Sequence, residues 1–473
     1  MEFVYDYAVI GGGVVGCAVF NKLRRYGKEV VLIEKGYDVA VGTTKANSGI
    51  VHAGFDAKEG TLKAKLNVRG AELMPELCKN LNVPYVQNGA VVIGNFLPTI
   101  QELYDRGIAN GVKGLEILER AELEKKLPCI ADNITCGLYA STSAIVSPYK
   151  LAIALAEEAV INGGGVIFNY QIKKFKKNND FYMIGDGCQY ILARKIIVCV
   201  GAEHNNLAKV LGNSEYPIQF RRGEYYLLDK GAMDINALTV FPLPTKESKG
   251  ILITPTTSGN IIVGPTSTIT DSSETVTTAS ALNEIAEKAG AMLNNVNLKK
   301  NIRVFSGIRT VVGDDFVIEK DKNNPDIINI TGICSPGLTA APAIAEYVCE
   351  LLGIQGEEIE MKKLPVYKKL QGATAEEINA LIAEDERFGK IVCRCENVSE
   401  REIIDAINSP LQPLTLDAIK RRTRAGMGRC QGGFCFSKVM EIISRETGMS
   451  IDDICKENAG SRIIVGDIKD ERL

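Results

Sequence analysis

YDYAVIGGGVVGCAVFNKLRRYGKEVVLIE, residues 5–34, decides how this chain folds. The apolar run YAVIG reads as a short buried strand that empties into three successive glycines. A helical pattern follows from residue 14 to about residue 26, Gly27 stops it, and EVVLIE returns as a second strand. This is a βαβ unit with Gly11-x-Gly13-x-x-Gly16 at its first turn and Glu34 closing its second strand. In that context the glycines have separate tasks. The first permits the tight turn, the second lets the backbone approach a pyrophosphate, and the third allows close helix-to-strand packing, while the helix N-terminus offers free amides. Glu34 is placed to accept hydrogen bonds from a ribose.

Outward from that unit, 473 residues suffice for two or three domains, and 45% hydrophobic with 24% charged residues describe an ordinary globular chain. The net charge of -3 implies no electropositive face, so nucleic acid is not an expected partner. The N-terminal residues lack the pattern of a secretory signal and no apolar run is long enough to span a bilayer, so the expected location is the cytoplasm, with any membrane association peripheral and through a partner. The 13 cysteines are scattered through apolar stretches, as in a reducing compartment, and the 2 histidines, His52 and His204, exclude most histidine-rich metal centres. His204 reads as a polar loop residue.

Farther along, residues 66–82 carry an amphipathic helical pattern, PYKLAIALAEEAVINGG from Pro148 a second one, and RKIIVCVGA a parallel strand ending at Gly201. From about 217 to 270 the texture becomes that of antiparallel strands joined by turns, a sheet that would cover a substrate. IINITG adds a parallel strand and APAIAEYVCELLG the helix after it. Residues 354–388 turn polar and charged, a linker with one helix opened by a Thr374/Glu377 capping box; Ser399 and Glu402 repeat the device. The expected architecture is α/β: residues 1–353 as the main domain with insertions at about 84–145 and 217–305, the linker, a small helical domain over 389–455, and a tail over 456–473.

Two further stretches narrow the family. GTTKANSGIVHAGFDA (42–57) and GICSPGLTAAPAIAEYV (332–348) resemble the D-amino-acid oxidase superfamily of FAD-dependent oxidoreductases. The resemblance implies a Rossmann-like FAD-binding domain of the glutathione-reductase type with an antiparallel-sheet substrate domain. It assigns to FAD the positions Gly11, Gly13, Val14, Val15, Gly16, Glu34, Lys35, Thr43, Thr44, Asn47, Ser48, Gly201, Gly337, Leu338 and Thr339. The loop at Gly337 would turn amides and a helix N-terminus toward the flavin ring.

Oxidising an alcohol or amine carbon requires a base for the O–H or N–H proton and an anchor for the substrate's anionic group, and three residues qualify as catalytic candidates. His52 is the general base, or else a structural histidine under the flavin or, as the resemblance allows, a point of covalent attachment to it. Arg309 in FSGIRTVVGDDF resembles the arginine with which such enzymes hold a carboxylate or phosphate, although Thr310 stands where they carry proline; its alternative is an ion pair with Asp314 or Asp315. Tyr225 in RRGEYYLLD is either a substrate contact or a half-buried strand aromatic.

Near the C-terminus, VCRCENVS (392–399) and GMGRCQGGFC (426–435) set Cys393 and Cys395 thirty-four residues ahead of Cys430 and Cys435. Four thiolates can hold zinc or an iron–sulfur cluster. The stretch is similar to the bacterioferritin-associated-ferredoxin type of [2Fe-2S] domain, whose ligands correspond to these four cysteines. Gly426, Gly428, Gly432 and Gly433 would let amides reach cluster sulfurs, and Arg421, Arg422, Arg424 and Arg429 would either offset the cluster's charge or form a solvated face. An FAD body followed by this module resembles the catalytic subunits of anaerobic glycerol-3-phosphate dehydrogenases. That implies oxidation of sn-glycerol 3-phosphate to dihydroxyacetone phosphate, with electrons leaving through the cluster to a partner subunit (a flavoprotein or small iron–sulfur protein) or a quinone. Alternatives are an L-2-hydroxyacid dehydrogenase of the 2-hydroxyglutarate type, suggested by GTLKAKL and RRGEYYLL, an opine or imino acid dehydrogenase, and a non-catalytic electron-transfer subunit.

Overall fold

A computed structural model describes residues 3–244 and 250–466; residues 245–249 of the second expected insertion and 467–473 of the expected tail lie outside them. The βαβ unit forms as read. The strand Val4–Ile10 pairs in parallel with Val30–Ile33 on one side and with Tyr190–Val198 on the other, and the helix Val14–Arg25 crosses between the first two. Gly165–Ile167 extends the sheet beyond Val30–Ile33, and Ile327–Thr331 joins Tyr190–Val198 in parallel. The four residues of Val30–Ile33 are all buried, as a strand covered on both faces must be. Helices Val14–Arg25, Pro148–Ile161 and Gly337–Leu352 pack together over one face.

The helix expected over 66–82 starts earlier, at Leu62, and runs to Asn80. Thr61 caps it by accepting from the Ala64 amide, and Asp315 accepts from the Leu62 and Lys63 amides at 2.8 Å each. Asp315 is thus a helix cap rather than a partner of Arg309. The same helix lies backbone to backbone on Gly337–Leu352, where a β-carbon on Gly70 would meet the Thr339 carbonyl oxygen at 2.1 Å.

A second, nine-stranded sheet takes its strands from Ala90–Gly94, Leu115–Glu119 and Cys136–Ala140 and from five strands between Gln219 and Thr270, with Asn301–Val311 paired along Gln219–Leu228. The last strand runs on past 305, the expected edge of the insertion. The pairing is antiparallel except where Thr239–Pro242 joins Ala90–Gly94 in parallel, which is how the two sequence blocks fuse into one sheet.

The cluster module has its own core, with Val392, Ile403, Ile419 and Ile443 buried around the helices Glu400–Ile407, Leu416–Thr423 and Phe436–Thr447. Both capping boxes form, at Thr374/Glu377 ahead of Ala375–Glu384 and at Ser399/Glu402. The arginines Arg421, Arg422 and Arg424 do not form a solvated face; they are drawn into ion pairs. Arg421 and Arg422 cross to the FAD-type domain and close on Asp38, which is 1% exposed, through contacts of 2.9–3.1 Å. Arg422 also reaches Glu157 at 3.3 Å, and Arg421 reaches Glu457 at 2.9 Å. Arg424 pairs with Glu396 at 2.8 Å and with the Asn260 side-chain oxygen at 3.1 Å. Glu457, in the segment read as a tail, also binds Lys45, so that segment strengthens the seam.

Burial by itself would lift the Asp38 carboxyl, but Arg422 and Arg421 outweigh it and hold it below its ordinary range. A carboxylate depressed in the folded state stabilises it above the unfolded value, 3.8, and that contribution drains away as pH falls through the lower folded value. Asp38→Asn should therefore leave two buried guanidinium groups underpaired, at a cost of about 3–5 kcal/mol. Limited proteolysis should then cut within 354–388 and release the cluster module, and wild-type protein should show the same cleavage only on strong acidification. A variant as resistant as wild type at neutral pH would show that Asp38 does not hold the seam.

Candidate functional site

The first turn of the βαβ unit has the shape a pyrophosphate needs. Gly11 sits at φ +104°, and a β-carbon there would come within 2.6 Å of the Cys199 carbonyl oxygen; on Gly16 it would meet the Gly11 carbonyl oxygen at 1.9 Å. Neither position tolerates a side chain. At Gly13 a β-carbon would find just the Thr44 hydroxyl, at 3.5 Å, and Gly13 itself offers no side-chain cap. Thr44 accepts from the Val14 amide at 2.9 Å, while Val15 is half-buried beside it. Glu34, at the end of its strand, is held by the amides of Gly12 at 2.6 Å and Gly36 at 2.7 Å. Burial raises its carboxyl, and those two amides oppose the rise. Lys35 pairs with Glu203 at 3.0 Å, on the 3-10 turn Gly201–Glu203 that follows the returning strand.

From this cradle the chain runs through Thr43–Lys45 and Asn47 to His52. Asn47 donates to the carbonyls of Thr43 and Thr44 and accepts from the Gly49 amide, which fixes the bend around Ser48. The His52 amide donates to the Thr339 hydroxyl at 3.0 Å, and that hydroxyl donates to the Ile50 carbonyl. Thr339 is fully buried, so its side chain pins the segment of Ile50 and His52 to the start of the helix at Gly337. The helix begins at Gly337, with half-buried Leu338 next. The His52 ring lies 3.3 Å from the Ser335 hydroxyl through Nε2 and 5.8 Å from the Phe241 ring of the second sheet. A cavity of about 190 Å³ opens beside it, lined by His52, Lys63, Asn67, Asp314, Ser335 and Pro336. A wider cleft of about 730 Å³ around Lys58, Asp105 and Arg106 contains none of the candidate residues.

Arg309 and Tyr225 approach from the second sheet. Thr43 donates to the Ile308 carbonyl at 2.7 Å, and a β-carbon on Gly307 would meet the Ala46 carbonyl oxygen at 2.2 Å, so the arginine's strand lies on the cofactor segment. The guanidinium gives one Nη2 hydrogen bond to the Thr266 carbonyl, while its buried Nε has no partner. Gly223, the glycine of RRGEY, makes room for it, since a β-carbon there would sit 2.9 Å from Nη2. Tyr225 is buried and stacked on Phe305 at 4.7 Å; burial raises its hydroxyl's pKa and Arg309 opposes that. Glu224, between them in sequence, holds Arg222 and the Thr278 amide and is structural. His204 is fully buried at the start of the helix His204–Leu211, not in a loop, and its ring packs on Tyr216.

The four cysteines associate as two pairs, one member from each motif. Cys395 and Cys430 have Sγ atoms 3.7 Å apart, and Cys393 shares a hydrogen bond with Cys435. Four thiols set as two facing pairs are a donor set that fits an iron–sulfur cluster. The hydrogen bond from Cys435, then the amides of Gly426, Glu396 and Cys395, hold Cys393 below its ordinary value, while that same bond and burial raise Cys435. Burial opposes, but the Gly432 and Phe434 amides pull Cys430 down as well. Thiolate is the ligating form, and such amides stabilise it. Gly428 brings the backbone against Cys395, where a β-carbon would be 2.2 Å from the cysteine's own.

Residues 6–351 match the family described as FAD dependent oxidoreductase. The chain belongs to that family. Residues 391–445 match the BFD-like [2Fe-2S] binding domain. The chain is 40% identical to the glycerol 3-phosphate dehydrogenase of Caloramator mitchellensis over 99% of its own length and 100% of that protein's. It is 30% identical to human mitochondrial L-2-hydroxyglutarate dehydrogenase over 55% of its length and 60% of that protein's. The dithionite-reduced L-alpha-glycerophosphate oxidase of Mycoplasma pneumoniae with FAD bound superposes with a TM-score of 0.71 at 28% identity, covering 78% of this chain and 98% of that one. The protein is an FAD-dependent oxidoreductase carrying a [2Fe-2S] domain, and among its described residues no helix is long and apolar enough to cross a membrane. Bound FAD supplies a two-electron acceptor, and the cluster accepts and releases one electron at a time. Gly16→Val should abolish FAD retention, read as loss of the yellow chromophore from purified, folded protein. Full flavin content in that variant would move the cofactor away from this turn.

Proposed function

We propose that the enzyme oxidises sn-glycerol 3-phosphate to dihydroxyacetone phosphate and sends the electrons out through the cluster. What carries this reading is the full-length likeness to the Caloramator dehydrogenase, both modules in order. A guanidinium with an unfilled buried donor beside the cofactor segment supports it. Arg309 holds the phosphate, its planar fork matching the anion's oxygens. Tyr225, a phenol protonated at neutral pH, donates a hydrogen bond to the substrate. His52 takes the proton of the secondary hydroxyl at Nε2 while the hydride on that carbon goes to FAD, so the alcohol loses two electrons and two hydrogens and becomes the ketone. Ser335 holds the imidazole in orientation. Around them, Gly11, Gly13, Val14, Val15, Gly16, Glu34 and Lys35 hold the ADP part of FAD. Thr43, Thr44, Asn47, Ser48, Gly201, Gly337, Leu338 and Thr339 line the rest, and Cys393, Cys395, Cys430 and Cys435 hold the cluster.

The partial likeness to L-2-hydroxyglutarate dehydrogenase makes that acid the competing substrate. Under anaerobic mixing, glycerol 3-phosphate should bleach the flavin and 2-hydroxyglutarate should not; the reverse result would transfer the assignment. Arg309→Ala should raise the KM for glycerol 3-phosphate on the order of 10–100-fold, from the loss of charged hydrogen bonds. An unchanged KM would return Arg309 to the scaffold. His52→Ala should slow flavin reduction by about 10²–10⁴-fold, and a wild-type rate would remove it as the base.

A further inference from the structure

The two thiol pairs differ in access. Cys393 and Cys435 are each 2% exposed, whereas Cys395 is exposed and Cys430 partly so. Beside the accessible pair, Phe434 leaves 84% of its surface in water although its own amide serves Cys430 and the next residue is a ligand. An aromatic ring left in solvent at that position does nothing for the module's core. Exposed basic residues stand close to it in the chain: Arg394 beside Cys395, Lys438 four residues on, and Arg429, whose charge is paired with Asp229, while the exposed acid Glu441 lies three residues beyond Lys438. Arg303 reaches the same edge by donating to Gln431 at 3.3 Å, and Glu396 is engaged by Arg424 and Lys230. This basic rim is local, because the whole chain carries a net charge of -3.

We infer that this rim is a docking face for a small acidic redox protein, which meets the chain over Phe434 and the Cys395–Cys430 pair. The inference rests on the proposed exit of electrons through the cluster. The step is the transfer of one electron from the reduced cluster to the oxidised flavin or iron centre of the partner, with no bond made or broken. An apolar centre allows close approach to the ligand sulfurs, and the unpaired charges of Arg394 and Lys438 beside it steer a carrier of the opposite charge and release it readily, as a transient contact of small area requires. A second copy of this chain fits poorly, since the rim would face its own charge.

The test uses the full chain loaded with both cofactors, reduced anaerobically with glycerol 3-phosphate and mixed with rubredoxin, a small acidic iron protein, as the probe. Rubredoxin reduction should be second order and fall steeply with added salt. Lys438→Glu and Phe434→Ser should each slow it, with Lys438→Glu paired with Arg394→Glu lowering the rate at least on the order of tenfold. Cluster absorbance and reduction of a small neutral dye should stay at wild-type level. Rates indifferent to salt and to charge reversal would overturn the proposal, as would binding of the rim to anionic phospholipid vesicles in preference to rubredoxin. If glycerol 3-phosphate fails to reduce the enzyme, the substrate assignment falls, and dithionite reduction then allows the same docking measurement to stand or fall by itself.

Discussion

The most buried ion pair between the two halves of this enzyme centres on one carboxylate, Asp38. Asp38 lies four residues beyond Glu34, in the loop that walls the dinucleotide turn, and it takes both Arg421 and Arg422 from the cluster module. Two guanidinium groups and a carboxylate out of water are costly unless they find partners, and here Glu157 and Glu457 add to Asp38, leaving the Arg421 Nε without one. The consequence is positional. The loop carrying Asp38 hydrogen-bonds to the glycine turn through the Ala40 amide and the Gly12 carbonyl at 2.8 Å, so the seat of the cluster module and the seat of the nucleotide share one piece of backbone.

The same economy governs the substrate side. The second sheet is an independent layer, yet its strand Asn301–Val311 lies on the Thr43–Lys45 turn through Gly307 and Thr43. That contact brings Arg309 and Tyr225 toward the segment ending in His52, and the Thr339 hydroxyl fastens His52 to the helix at Gly337. Close backbone approach at Gly70, Gly307 and Gly428 recurs wherever two of these segments must meet without an intervening side chain.

What the sequence disclosed follows from the range of each interaction. The βαβ unit, the parallel strands and both capping boxes rest on residues a few positions apart, and they form as read. The start of the helix at Leu62 was hidden because half its cap is Asp315, more than 250 positions away. A solvated face for Arg421 and Arg422 fails for the same reason: Arg421 and Asp38 are separated by 383 residues, and no local pattern distinguishes a solvated basic face from a clamp. His204 looked like a loop residue since nothing in its neighbourhood foretells that Tyr216 and Ser214 enclose it. The space for Arg309 was legible only in retrospect, in the glycine of RRGEY.

The account depends on flavin and cluster working in series within one chain. Its most direct test is an anaerobic titration of purified, fully loaded protein with limiting glycerol 3-phosphate, following the flavin by absorbance and the cluster by electron paramagnetic resonance in the same samples. The expected result is loss of flavin absorbance accompanied by the signal of a reduced [2Fe-2S] cluster in proportion to substrate added. A flavin that bleaches while the cluster stays oxidised throughout would contradict it.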